Sequence, residues 1–213
     1  MVPIAASFFE WFKAVVPLLA AGTALAGAVL FTNRVSHRYE LRRKQREFDL
    51  ETMRELATIY GQFFRSWKAW NALCRYEHVD AAEGAWTLLN QTVEAEGRLE
   101  TLLLRIACDR SLSKADINAL GALRQAFKTV RLAIYHKTPL DWRSSDHGHY
   151  AALKTYAAHT AALVSADRVG SAPDAQTARA AFQQITSNRH EGTWKTLAAD
   201  NGWITMARPR HDG

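Results

Sequence analysis

Residues 14–33 carry no charged side chain and are mostly apolar, and Arg34 then opens a strongly basic run. That seam constrains this chain more than any other feature. Twenty uncharged residues span roughly 30 Å as a helix at about 1.5 Å per residue, the thickness of a hydrocarbon core. Phe8, Phe9, Trp11 and Phe12 precede the stretch and suit the headgroup level. Pro17 falls in its first turns, where a missing N–H is tolerated. The middle is small-sided, and Gly22, Ala26 and Gly27 would let a second span approach closely. The basic residues Arg34, Arg38, Arg42, Arg43, Lys44 and Arg46 all follow the span. The positive-inside rule therefore puts the N-terminus outside and the rest of the chain in the cytoplasm, as a single-pass protein. Ala24-Leu25-Ala26 resembles a signal-peptidase site. Against cleavage stand the missing charged leader, the apolar run on to Phe31, and the basic segment that would follow the cut.

Charge bounds the partners. Residues 34–46 hold six Lys/Arg and one Glu, hence a net +5 of the chain's +6. The remainder is close to neutral, which points away from nucleic acid. Anionic headgroups attract such a collar by about 1 kcal/mol per residue, within a Debye length of about 8 Å. The expected partners are an anionic bilayer and a protein, either another copy or a different chain, with no cofactor. Cys74 and Cys108 sit among apolar neighbours without metal spacing, the pattern of two core thiols in a reducing cytoplasm.

The pattern downstream is helical throughout. Residues 34–52 read as a basic juxtamembrane stalk, with Glu40–Lys44 and Arg43–Glu47 as i,i+4 pairs. Met53, Leu56, Tyr60, Phe63, Trp67, Trp70 and Cys74 then step by three and four, a stripe that must be buried within the chain or against another copy. Asp80 and Glu83 suggest a capping box before a helix whose apolar residues are Trp86, Leu89, Val93, Leu99, Leu103 and Ile106. Ser113 and Asp116 repeat that cap before Ile117, Leu120, Leu123, Phe127, Val130 and Ile134, and Thr138-Pro139 stops the helix. A further helix is expected from Asp146 to Arg168, and another after the Gly170–Pro173 break with Pro173 in its first turn. A short last helix is expected from Thr193 to Ala199. The fold class is all-α: an N-terminal transmembrane helix (1–33, with its interfacial segment), the stalk (34–52), a four- to five-helix cytosolic bundle (53–205) and a tail (206–213).

The run from Tyr39 to Leu50 (YELRRKQREFDL), followed by Leu56 to Asn71 (LATIYGQFFRSWKAWN), resembles a group of uncharacterised bacterial membrane proteins. These have one N-terminal span, a basic helix and an aromatic helical segment. The resemblance covers about residues 14–71. It implies a bacterial inner-membrane protein with a cytosolic helical domain, and carries over no activity.

The most polar cluster is His136 to His149. Its plainest reading is a solvated loop between helices, with Trp142 as a lid on the bundle end. A second reading rests on Arg131 and His136, whose Arg-x4-His spacing resembles that of HEPN-type RNA-cleaving helical domains. There a His works as general acid or base while an Arg stabilises phosphate charge. A third takes Asp146, His147 and His149, with His136, as metal ligands. His78, His159 and His190 stand alone and read as capping or surface residues. These patterns predict a membrane-anchored helical scaffold, sensor or adaptor, with a membrane-tethered HEPN-like ribonuclease or toxin-like effector using Arg131 and His136 as the alternative.

Overall fold

A computed structural model describes residues 39–40, 43–75, 81–142, 147–166 and 172–203. The expected span, with Gly22, Ala26 and Gly27, lies outside the described residues. So do Arg34, Arg38, Arg42, Asp80, His78, Asp146 and the tail. Among the described residues there is no strand, and no helix long and apolar enough to cross a membrane.

The chain divides into two units, Met1–Phe48 and Asp49–Gly213. In the first, residues 39–40 and 43–48 are helical, and Arg43, Lys44 and Arg46 are exposed. Arg43 meets Glu47 at 3.0 Å, one turn on and open to solvent, where such a pair contributes about 0.3–0.5 kcal/mol.

The second unit is an all-α bundle. Its helices are α1 (49–73), α2 (Ala81–Asp109), α3 (Lys114–Tyr135), α4 (Gly148–Ser165), α5 (Ala175–Thr186) and α6 (Trp194–Asp200). A 3-10 turn, Asn188–His190, lies between the last two. α3 is the hub and packs against α2, α4, α5 and α6. Ala119, Leu120, Gly121, Ala122 and Leu123 are buried in succession, so this stretch of the helix is enclosed on every side. Alanine and glycine at five of its core positions (119, 121, 122, 126 and 133) let the neighbours close in.

The α1 stripe closes within the chain. Leu56, Phe63, Trp67 and Trp70 are buried, Met53 and Tyr60 are half-buried, and Ile59 and Ser66 join the inner face. Phe63 meets Phe127 of α3 at 4.3 Å, and Trp67 stacks on Tyr150 of α4 at 4.7 Å. Cys74 and Cys108 are both exposed, not core thiols. Cys74 falls in the turn just past the end of α1, where the stripe has left the core.

α2 turns part of the expected face inward, with Leu99, Leu103 and Ile106 buried and Leu89 half-buried, but Trp86 and Val93 fall outside it. Ala85, Leu88, Ala95, Leu99, Leu102, Leu103 and Ile106 are buried, while Trp86 and Val93 point outward. The small Ala85 and Ala95 allow close helix packing, and Trp86, one residue on from Ala85, is rotated by about 100° towards solvent.

The helix ends follow their capping residues. Ser113 and Asp116 form a complete capping box (3.2 and 2.9 Å). α4 starts at Gly148, capped by His147, and stops at Ser165, shorter than expected at both ends. α5 is capped by Asp174, which accepts from the Thr177 amide at 2.8 Å, so Pro173 precedes the cap and is not in the first turn. Two helices close with Schellman turns. In one, Gly202 takes φ 69°, with Trp203 and Gly202 amides bonded to Ala198 and Ala199. In the other, Lys137 takes φ 54°, with Thr138 and Lys137 amides bonded to Ala133 and Ile134.

Two glycines predict opposite outcomes. A Cβ on Gly121 would lie 2.3 Å from His190 Cδ2, whereas one on Gly61 meets nothing within 4 Å. Gly121→Ala should lower unfolding free energy by about 1–3 kcal/mol through overpacking. Gly61→Ala should raise it by about 0.5–1 kcal/mol through helix propensity. Urea melts of both variants check this; equal effects would mean His190 does not sit against α3.

Candidate functional site

The loop from α3 to α4 is held from below by two indoles. Trp67 Nε1 donates to the Trp142 carbonyl and Trp70 Nε1 to the Thr138 carbonyl, each at 3.0 Å. Trp142 is no lid: it is fully buried, with Trp67 and Trp194 rings each 5.7 Å away. A bulky apolar ring between two polar stretches reads from sequence as a cover. Here it is an interior residue, because the loop folds inward over α1. Tyr156 completes this region by donating to the Trp194 carbonyl and accepting from the Ala198 amide. Burial pushes its hydroxyl pKa up.

Above these rings lies the polar cluster. Lys195 Nζ meets Asp141 Oδ2 at 2.9 Å, and His149 Nδ1 lies 3.5 Å from the same oxygen. Burial raises the Asp141 carboxyl, but Lys195, His149 and His147 outweigh it and hold the pKa below the usual carboxylate range. Burial, aided by Lys195 and His147, holds His149 below the usual imidazole value against the pull of Asp141. His149 is therefore a neutral imidazole at pH 7. His147 is occupied by the helix: its Nδ1 accepts the His149 amide at 3.2 Å. The two rings stand edge to face at 4.5 Å. Among the described residues no group of three or more His, Cys, Asp or Glu could hold a metal ion.

Lys195 and Trp194 come from α6, about fifty residues further along the chain, and no local pattern pointed to them. Chemically, the cluster is an Asp–Lys ion pair that fastens the loop to α6 beside a neutral histidine.

Arg131 and His136 lie apart in character. Arg131 Nε is paired with Glu96 of α2. His136 is the exposed C-cap of α3, its ring against Tyr135 at 5.0 Å. Five helical residues separate them by about 140° around the axis. Two of the three isolated histidines, His159 and His190, are also placed. His159 Nε2 bonds Asp116 Oδ1 at 2.8 Å and stacks on Trp203 at 5.0 Å. His190 is buried, not a surface residue, and its Nε2 accepts from Arg189 Nε at 2.9 Å.

Arg110 is a polar keystone that the sequence did not single out. Its buried guanidinium meets Asp49 at 3.0 Å and the carbonyls of Val164 and Ala166 at 2.5 and 2.9 Å. It joins the start of α1 to the end of α4. Removing one partner of such a buried pair costs more than the pair itself contributes.

The class these features define is an all-α helical bundle with an aromatic interior. Compared with known proteins, the chain matches no protein-family model, no curated protein and no solved structure.

Proposed function

We propose that this protein is a membrane-anchored scaffold or adaptor that presents its helical bundle at the cytoplasmic face of a bacterial inner membrane. The observation that carries the reading is the seam at Arg34: twenty uncharged residues followed by six basic ones within thirteen positions. The exposure of Arg43, Lys44 and Arg46 supports it, since charges held in solvent can meet anionic headgroups. The self-contained aromatic core supports it too, because a bundle that satisfies its own apolar stripe can act as a stable head.

The test is fractionation of a C-terminally tagged full chain in a bacterial host. The tag should pellet with membranes, resist carbonate extraction and survive protease added to intact spheroplasts. A tag found in the soluble fraction removes the anchor. A tag cut in intact spheroplasts reverses the orientation.

A further inference from the structure

The outer face of α2 carries a feature that packing of the bundle does not use. Positions 86, 90, 93, 97, 101, 104 and 108 follow steps of four, three, four, four, three and four. They fall within about 40° of one line along the helix, over roughly 33 Å. All seven are exposed. The residues are Trp86, Asn90, Val93, Gly97, Thr101, Leu104 and Cys108, with no charge among them, although charged residues flank the stripe at Glu94 and Glu100. Trp86, Val93 and Leu104 keep 64, 51 and 44 % of their surface exposed. Thr101 turns its hydroxyl back to the Gly97 carbonyl at 3.1 Å, which leaves its methyl group available to a partner.

The spacing is the same read in either direction from Gly97. A two-fold axis through Gly97 would set Val93 opposite Thr101 of a second copy, Asn90 opposite Leu104, and Trp86 opposite Cys108. Each level then pairs a larger side chain with a smaller one or two of similar size. Gly97 would meet Gly97 at the crossing, where a Cβ would find nothing within 4 Å inside its own chain. A glycine at the crossing lets two helix backbones approach closely. This is the self-complementary arrangement that a closed two-fold dimer requires.

We propose that the outer face of α2 is a self-association surface, and that its occupant is the same face of a second copy packed antiparallel about Gly97. A strip about 33 Å long and 10–12 Å wide covers roughly 350 Å², against about 800 Å² per partner in a standard interface. The contact is therefore weak in dilute solution and strengthened where chains are concentrated on one surface. The proposal deepens the scaffold reading and rests on it for its purpose, not for the existence of the surface.

The experiment uses the full chain in mild detergent, with mass followed by light scattering against concentration. Gly97→Glu should raise the dimer dissociation constant at least ten-fold while circular dichroism and melting temperature stay unchanged, since position 97 is open. In a chain lacking Cys74 and Cys108, mixing Val93→Cys with Thr101→Cys should give a disulfide-linked heterodimer. Cys108 alone, with its mate far along the partner helix, should give none. Unchanged dimers in Gly97→Glu, a monomer at every concentration, or rapid Cys108–Cys108 linkage (the parallel register) would each overturn the proposal. The anchor is read separately from membrane fractionation. A soluble chain that loses its dimer with Gly97→Glu keeps the surface and removes the anchor. A membrane-bound chain whose dimer ignores Gly97→Glu does the reverse.

Discussion

Trp67→Ala is expected to lower unfolding free energy by about 3–5 kcal/mol, the range for removing a large buried aromatic side chain. Trp67 has no exposed surface and stacks between Tyr150 and Trp142. Truncation also deprives the Trp142 carbonyl of its indole donor, a hydrogen bond worth about 1 kcal/mol. Domains of this kind are stable by only about 5–15 kcal/mol, so the variant should be near the edge of folding at 37 °C. Trp67→Phe separates the two contributions: it keeps a ring against Tyr150, loses the indole donor, and should cost less. Trp86→Ala is the outer control and should leave the monomer's stability within about 0.5 kcal/mol. Urea denaturation with a common slope measures all three. A loss below 1 kcal/mol for Trp67→Ala would mean that the aromatic interior does not hold the α3–α4 loop.

Acid should unfold this protein earlier than its carboxylates alone would dictate. In an unfolded chain an imidazole titrates near pH 6.5. In the folded protein burial, and then the charge of Arg189, hold His190 at about 4. The unfolded chain therefore takes up a proton between those values that the folded chain refuses. The contribution is intact above pH 6.5 and falls away as pH drops, by about 3 kcal/mol at pH 4. His149, held below its usual value mainly by burial, acts in the same direction. Asp141 and Asp116 follow at lower pH. Burial pulls the Asp116 carboxyl up, but bonds from Ser113 and His159 outweigh it and keep it low. Unfolding free energies at pH 7, 5.5 and 4.5, with the His190 ring followed by NMR, check the expectation. A His190 that titrates above pH 6, or a stability flat from pH 7 to 4.5, would exclude a buried neutral ring against Gly121.

Much of the bundle was legible in the sequence because its signals are local. A capping box needs only Ser113 and Asp116, three residues apart. A helix stop needs Thr138-Pro139. The stripe on α1 repeats at helical spacing, and four of its seven members are buried as that spacing requires. Errors arose where two faces of one helix were both uncharged. On α2 the expected apolar face contained Trp86 and Val93. Periodicity alone cannot separate a core stripe from an outer one, because both lack charge. The choice was made by Ala85 and Ala95, whose small size suits contact with neighbouring helices. The polar cluster was equally hard to read: Asp141 and His149 stand close in sequence, but Lys195 reaches them only through the fold.

By itself the sequence determined the all-α class, the position of most helices and the charge seam near the N-terminus. Each is set by residues within a turn or two of one another. Only the tertiary structure decided that the aromatic stripe closes on α3 and α4 of the same chain. It also decided that Trp142 lies inside, that His190 fills the notch at Gly121, and that Arg110 joins α1 to α4. Those contacts link residues tens of positions apart. Which of them form depends on the volume and hydrogen-bonding capacity of all the helices packing at once, and no single segment carries that information.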